Sequence, residues 1–328
     1  MDGCFDNGKF VISLDFELFW GVRDKKSLLQ YGDNIIGVKR VIPALLELFD
    51  QYDIRVTFST VGFLFASNKH ELLFFSPNKK PGYKSNNLSP YDSFSNVGIN
   101  EEDDPYHFGY SLVKSIRDNG RHEIGTHTYS HYYCLEEGQT QEEFQADLTA
   151  AIKIAANLGV ELRSIVFPRN QYNNDYLKIC CDSGLTCFRG NPDSWLYEAR
   201  KNGDEKIVRR VLRLIDAYFN ITGHHCHAKE YLKKGPLVNI AGSRFLRPWN
   251  AKLAWIEPIR LRRIKKSMLF AARNKLLFHL WWHPHNFGVN LNENLEILEE
   301  ILMFYQGLRH QYGFQSITMS ELSDQMNR

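Results

Sequence analysis

The sequence lacks the features that mark several classes of protein. Its six cysteines form no CxxC pair and no zinc-ribbon spacing, so we expect reduced thiols that are mostly buried. No apolar run reaches the ~18 residues that a membrane-spanning helix needs, and the formal net charge of +2 gives no general attraction to nucleic acid. The first residues contain no basic segment followed by an apolar run, so we expect no signal peptide and a cytoplasmic protein.

The chain has 328 residues, of which 43% are hydrophobic, so it has ample material for a core. Short apolar segments predict strands near residues 10–15, 55–58, 122–126, 164–169, 185–189, 237–240 and 276–282, and helical patterns lie between several of them. Such alternation predicts an α/β fold with a parallel sheet, and about seven βα units predict a closed or nearly closed barrel. We predict one barrel domain over residues 1–328.

Residues 76–105 interrupt this pattern with a run rich in Asn, Ser, Pro and Lys. Irregular segments of this length are uncommon in compact domains and usually functional or mobile. We therefore predict an insertion whose aromatic residues either cover a substrate or belong to a disordered excursion.

The most informative stretch follows the third predicted strand and contains two histidines four residues apart, His127 and His131. If the chain turns helical there, both imidazoles lie on one face and can converge on one metal ion. Gly125, just before the pair, permits a sharp bend or a close approach to another segment. Such a pair also occurs at ordinary surface or core positions, so the metal prediction depends on the other strand ends.

Charged side chains follow other predicted strands, at the end of the barrel where active sites of this architecture lie. Glu17 would complete a two-histidine, one-carboxylate ligand set with open positions, as hydrolytic zinc sites have. Asp15 shares a face of its strand with Glu17 and could act as general base, with Arg169 holding it ionised. His283 could protonate a leaving amine. Together these groups suit the hydrolysis of an amide or an ester.

The order of these elements resembles that of the polysaccharide deacetylase family (carbohydrate esterase family 4), over residues 10–320. The matching elements are Asp15-Phe-Glu17, His127-Thr-Tyr-Ser-His131, Pro168-Arg169, Asp193-Ser-Trp195 and Trp281-Trp-His283-Pro. The resemblance implies a distorted (β/α) barrel, often of seven strands. It also implies a divalent metal ion, with zinc as the default.

Residue by residue, the resemblance implies that His127 and His131 are metal ligands, Asp15 the catalytic base and His283 the catalytic acid. The family's usual first element has two adjacent aspartates, whereas this chain has Asp15 and Glu17. The sequence therefore leaves open which of the two carboxylates binds the metal, and we favour Glu17.

Three further positions take their roles from the resemblance alone. Arg169 corresponds to the arginine that orients the base, although the surrounding Phe-Pro-Arg-Asn-Gln only approximates the family pattern. Asp193 and Trp195 correspond to the element that backs the acid and lines the acetyl pocket.

Some other side chains have two readings. His285 could replace His283 as the acid, but Pro284 between them indicates that the strand is ending. Trp281 and Trp282 are typical of the barrel wall, with one of them at the border of the pocket, and we assign Trp282 to that border.

Two sequence clusters also have alternative interpretations. The run of residues 224–227, His-His-Cys-His, suggests a second metal, but neighbours on an extended chain point in opposite directions, which favours an exposed loop. The basic run of residues 260–266 is typical of a solvated helix face, and it would also suit peripheral contact with a phosphate carrier at a membrane.

The sequence thus predicts a metal-dependent hydrolase that removes an N-acetyl group from an amino sugar. The missing signal peptide points to a lipid-linked or nucleotide-linked saccharide in surface polysaccharide or lipopolysaccharide synthesis. One alternative is a deformylase or another amide hydrolase, and a second is a saccharide-binding protein without turnover. Metal identity, the sugar and the oligomeric state stay open.

Overall fold

The computed structural model describes residues 5–198, 207–233 and 235–327. Within these ranges the chain forms nine strands. They are β1 Lys9–Phe16, β2 Val56–Thr60, β3 Glu123–Thr126, β4 Ser164–Ile165, β5 Cys187–Phe188, β6 Val238–Asn239, β7 Arg244–Phe245, β8 Leu277–Trp282 and β9 Gln315–Ser316.

The described ranges also contain ten α-helices, most of which lie between successive strands. They are α1 Leu28–Gln51, α2 Lys69–Phe75, α3 Tyr110–Asn119, α4 Gln141–Asn157, α5 Asn174–Asp182, α6 Ile207–Tyr218, α7 Lys229–Leu232, α8 Glu257–Arg273, α9 Leu291–Tyr312 and α10 Met319–Asn327. No helix in the described ranges is long and apolar enough to cross a membrane.

All the strand pairs are parallel, and the sheet runs in the order β6-β5-β4-β3-β2-β1-β8-β7, with β9 also paired to β1. The segment 238–245 closes the ring, because β6 pairs with β5 and β7 pairs with β8. Between them, the Gly242 N–H donates to the Gly190 carbonyl and the Ser243 N–H to that of His279. The predicted distorted (β/α) barrel is therefore confirmed.

Strand β1 is buried on both faces, as the unbroken apolar pattern of its sequence predicts. Phe10, Ile12, Leu14 and Phe16 point into the main hydrophobic core beneath the helices. The alternate residues Val11, Ser13 and Asp15 lie on the opposite face, inside the barrel, where Val11 belongs to a second core cluster. Asp15 therefore reaches the carboxyl end of the barrel from the inner face.

The irregular insertion is ordered by its aromatic side chains. It contains two 3₁₀ turns, Asn86–Leu88 and Tyr91–Asn96, and the rings of Tyr83, Tyr91 and Phe94 are buried. Phe94 and Tyr91 pack against Phe63, and the Tyr83 hydroxyl accepts a hydrogen bond from the Tyr133 N–H. These rings therefore support the barrel end from outside and do not line the cavity described below.

Some elements differ from the sequence prediction. Helix α1 begins at Leu28, directly after Ser27, which forms a capping box with Gln30. Strands β4 and β5 contain only two residues each, fewer than the apolar segments 164–169 and 185–189 predict. Helix α6 and strand β7 were absent from the prediction, and both border the functional site.

The neighbouring tryptophans of β8, Trp281 and Trp282, lie on opposite faces of the barrel wall. Trp282 is buried in the main core against Phe49 and Phe287, whereas Trp281 is half-buried and faces the inside of the barrel. We expect Trp282→Ala to lower the free energy of unfolding by about 3–5 kcal/mol, as for other buried aromatic truncations. Trp281→Ala should cost clearly less in the same urea titration. Equal losses would contradict the assignment of the two faces.

Candidate active site

Three ligand atoms converge at the carboxyl end of the barrel, from Glu17, His127 and His131. All three residues are buried, and one ligand atom from each lies within 4.8 Å of the others. The Glu17 Oε2 atom is 3.3 Å from the His127 Nε2 atom and 3.0 Å from the His131 Nε2 atom. Among the described residues this is the one cluster of histidine, cysteine or acidic side chains with metal-binding geometry.

The hydrogen bonds of the two imidazoles indicate which nitrogen is available to an ion. The His127 Nδ1 atom lies 2.8 Å from the Val166 carbonyl oxygen, which can only accept, so Nδ1 carries the proton and Nε2 presents its lone pair to Glu17. The His131 Nδ1 atom lies 3.1 Å from the Tyr133 hydroxyl, which suits the same tautomer. Burial lowers the pKa of His131 to about 4 and favours its neutral form.

Glu17 supplies the negative charge of this cluster. Burial disfavours its charged form, but nearby histidines, His283 foremost, outweigh that effect and hold the Glu17 pKa well below its ordinary value. An ionised carboxylate then faces two imidazole lone pairs across about 3 Å, an arrangement that a cation between them would stabilise. The chemistry of the donor set therefore fits a divalent metal ion.

The loop that carries the two histidines is not helical, so this part of the prediction is wrong. Thr128 and His131 both have positive φ angles, of 63° and 59°, and bring the rings together through a compact bend. Buried Asp147 of α4 fixes that bend: its carboxylate accepts hydrogen bonds from the Tyr129 N–H at 2.7 Å, the Ser130 N–H at 3.1 Å and the Ser130 hydroxyl.

Two glycines permit the close packing of this centre. A Cβ atom at Gly125 would lie 2.3 Å from the Ser164 hydroxyl oxygen, so β3 and β4 need a glycine there, in line with the predicted close approach. At Gly21 a Cβ atom would lie 1.9 Å from the Glu17 carboxyl carbon. Glu17 therefore occupies space that only a glycine at position 21 leaves open.

Asp15 is held by Arg189, which lies at the end of β5. The two guanidinium nitrogens are each 2.7 Å from one carboxylate oxygen, and Arg189 also donates to the Ser13 hydroxyl at 3.0 Å. Burial alone would raise the Asp15 pKa, but Arg189 and then His283 outweigh it and lower the pKa. Asp15 is therefore ionised and fixed in orientation, as a general base requires.

The predicted pairing of Arg169 with Asp15 is wrong. The chain turns at Arg169, whose φ is 54°, and its guanidinium pairs with Asp24 and with Glu136, the latter at 3.0 Å. It also lies 4.0 Å over the Tyr133 ring, so it supports the partner of His131 and not the base. Both arginines follow short strands of the barrel, and only the fold shows that Arg189 is the one opposite Asp15.

His283 lies on the other side of the two carboxylates, just past β8. Its Nε2 atom is 3.6 Å from an oxygen of Asp15 and 3.6 Å from an oxygen of Glu17. Its side chain is 24% exposed, whereas that of His285 is 4% exposed and stacks on it with ring centroids 5.0 Å apart. Burial, followed by the charge of His283, lowers the pKa of His285 to about 3. His283 is thus the histidine within reach of a substrate.

None of the three residues predicted to bind substrate, Trp282, Asp193 and Trp195, lines the cavity beside His283. Trp281, not Trp282, borders the cavity beside His283, and the Arg189 guanidinium stacks 4.1 Å over its ring. Asp193 and the 61% exposed Trp195 line a separate hollow with Leu212 and Ile221. The wall of the cavity beside His283 includes Pro192 and then Tyr197, so neither Asp193 nor Trp195 lines it.

The histidine-rich run 224–227 has structural contacts. His224 stacks on Phe270, and its Nδ1 atom lies 3.0 Å from the Ser267 hydroxyl oxygen. The His225 Nε2 atom lies 2.6 Å from the Thr222 hydroxyl oxygen, and His227 stacks on Tyr231. None of these four residues is in a cluster with metal-binding geometry among the described side chains.

Comparisons with known proteins define the family. The sequence pattern of the polysaccharide deacetylase family matches residues 22–188, more than half of the chain. The chain therefore belongs to the polysaccharide deacetylase family, as its motif order predicts. No curated protein matches the chain.

Solved structures show the same fold at low sequence identity. One is a protein assigned as a polysaccharide deacetylase from Mycobacterium smegmatis, with a TM-score of 0.61 and 14% identity over 98% of this chain and 92% of that one. A protein with a similar assignment from Pseudomonas aeruginosa PAO1 has a TM-score of 0.55 and 11% identity, with 96% and 89% of the chains covered. The Puue allantoinase has a TM-score of 0.52 and 10% identity, with 96% and 89% coverage.

The buried pair of Arg189 and Asp15 gives a test that needs no activity. Arg189→Met leaves a carboxylate buried without a counter-charge, and we expect the free energy of unfolding to fall by about 3–5 kcal/mol. The double variant Arg189→Met/Asp15→Asn should recover most of that loss in urea denaturation. Arg169→Met/Asp15→Asn serves as the control and should show no such recovery over Arg169→Met. A double variant as unstable as Arg189→Met would contradict the pairing.

Asp147 predicts a pH dependence of stability. Burial raises its pKa to about 7, against the opposing effect of its three hydrogen-bond donors. A carboxyl group with a raised pKa stabilises the fold fully below its unfolded pKa, near 4, and this contribution is lost as pH rises through the folded value. Between pH 5 and pH 8 we therefore expect wild type to lose about 2 kcal/mol of unfolding free energy relative to Asp147→Asn. Parallel pH profiles of the two proteins would refute this.

Proposed function

We propose that the chain is a metal-dependent hydrolase that removes an N-acetyl group from an amino sugar of a saccharide. The observation that carries the proposal is the metal-binding cluster of Glu17, His127 and His131, with Asp15 and His283 on either side of it. Family membership supports hydrolysis of an amide or ester bond of a carbohydrate.

The proposed chemistry divides among the site's own residues. A divalent ion held by Glu17, His127 and His131 would act as a Lewis acid, polarising the carbonyl and making water more acidic. Asp15, ionised and held by Arg189, takes a proton from the attacking water. Its two fixed hydrogen bonds keep the carboxylate in one orientation during that transfer.

His283 has the position of the general acid. It is the exposed member of the pair that it forms with His285, and it borders the cavity next to Trp281. As the amine leaves, His283 donates a proton to the nitrogen from a position where its Nε2 atom lies 3.6 Å from an oxygen of Asp15 and 3.6 Å from an oxygen of Glu17. Trp281 and Phe245 pack beside its ring and limit its orientation.

Three further parts of the proposal come from the sequence. We propose a cytoplasmic location, a place in the synthesis of surface polysaccharide, and one barrel domain over the whole chain. The structural support for the last is that the amino-terminal strand β1 and the carboxy-terminal strand β9 pair with each other.

Metal content and acetate release test the proposal together. We expect about one divalent ion per wild-type chain by elemental analysis, with loss of both the ion and turnover in His127→Ala/His131→Ala. Asp15→Asn is the matched variant, because it should keep the ion and lower kcat by at least ~100-fold. Acetylated and formylated amino-sugar donors assayed in parallel separate a deacetylase from a deformylase.

Two results would overturn the proposal. A wild-type chain without metal after reconstitution with zinc, cobalt and nickel would remove its basis. A metal-loaded chain that binds saccharide equally well with Asp15→Asn and releases neither acetate nor formate would identify a binding protein.

A further inference from the structure

A cavity of about 370 Å³ adjoins the proposed active site. His283, Trp281 and Arg189 form its border with the two carboxylates. From there it extends between the chain after β5, strand β7 and helices α6 and α8. A substrate with its acyl group at His283 would therefore place the rest of the molecule in this cavity.

Arginine dominates the wall of this cavity. The part away from the metal cluster is lined by Arg209, Arg213, Arg244, Arg247 and Arg260, and Arg169, Arg189 and Lys25 lie nearer to it. The described lining residues include a single carboxylate, that of Glu198. Guanidinium groups around one small volume repel one another where carboxylates do not balance their charges.

Several of these arginines have carboxylate partners outside the cavity. Arg244 pairs with Asp216 at 2.8 Å, and Arg260 donates to Glu257 at 2.8 Å. These pairs fix the guanidinium groups in place, so the wall is preorganised and its ordering has no further cost on binding.

Arg247 differs, because no carboxylate among the described residues pairs with it. Burial lowers its pKa, and the neighbouring charges of Arg260 and Arg213 act in the same direction. Within the described part of the chain, its guanidinium therefore lies near other arginines without a carboxylate partner of its own.

We propose that this cavity binds a phosphate or diphosphate group carried by the saccharide substrate. The inference rests on the proposed function for the substrate's sugar part. Guanidinium groups bind phosphate oxygens through paired hydrogen bonds, and a phosphate would give Arg247 the anionic partner that no described carboxylate supplies.

The phosphate could be attached to a lipid or to a nucleotide, and helix α6 bears on this choice. Arg209 and Arg213 line the cavity from one face of α6, while Ile207, Val208, Val211 and Ile215 are exposed on its outer side. An acyl or prenyl chain leaving the cavity over this helix would cover those side chains. The lipid carrier is therefore the source that we expect.

Binding of inorganic phosphate to the metal-loaded protein tests the site by calorimetry. We expect Arg247→Gln to weaken phosphate binding about 10-fold relative to wild type, because a charge-assisted pair is lost. Arg210→Gln is the matched control: it lies on the outer side of α6, is exposed and does not line the cavity, so it should bind as wild type does. The metal ion is the same in all three proteins, so phosphate bound to the ion cannot produce a difference between them.

The carrier is tested with N-acetylglucosamine linked through diphosphate either to uridine or to a farnesyl chain. We expect the farnesyl form to bind more tightly, and Val211→Ser/Ile215→Ser to reduce its affinity while leaving that of the uridine form unchanged. Tighter binding of the uridine form would overturn the lipid carrier and retain the phosphate site.

The outcomes separate this inference from the proposed function. Phosphate binding that depends on Arg247, in a protein that releases no acetate, would retain the inference and remove the function. Acetate release from neutral amino sugars, with phosphate binding equal in wild type and Arg247→Gln, would retain the proposed function and remove the inference.

Discussion

Two buried carboxylates two residues apart, Asp15 and Glu17, impose the constraint on which this barrel end depends. Each is an ionised group at the end of β1, and an isolated buried charge is too costly to keep. Asp15 obtains its counter-charge from Arg189 through a bidentate pair. Glu17 has the Nε2 atoms of His127 and His131 within 3.3 Å of its carboxylate and that of His283 at 3.6 Å. The end of β1 thus places both carboxylates where histidines and Arg189 surround them.

The same constraint accounts for the surrounding architecture. Both histidines belong to a loop in which two residues adopt left-handed conformations, and Asp147 stabilises that loop by accepting its N–H groups. Arg169, Asp24 and Tyr133 form a second network that reaches the Nδ1 atom of His131. Metal ligands oriented by such partners hold their geometry before an ion arrives.

The sequence predicts the barrel and the ligand set because both have local signals. Apolar segments of fixed length mark the strands, and the spacing of His127 and His131 marks the site. No local signal in the sequence shows which arginine pairs with Asp15. Arg169 and Arg189 both follow short strands, and their contacts depend on how far the chain turns after each strand. Trp281 and Trp282 differ only in strand face, which a one-residue shift of register reverses. The position of Asp193 and Trp195 also has no local signal, because it depends on the course of the loop after Pro192, which places them at a separate hollow.

The two ends of the site differ in charge. At the metal end, carboxylates outnumber arginines and the site attracts a cation, whereas the adjoining cavity has an arginine wall with one carboxylate. A neutral saccharide would leave Arg247 without an anion, and a desolvated guanidinium in that state is costly. The proposed substrate, neutral at its acyl group and anionic at its distal end, matches both halves. His283 lies where they meet, 3.6 Å from an oxygen of each carboxylate and at the border of the arginine-lined cavity.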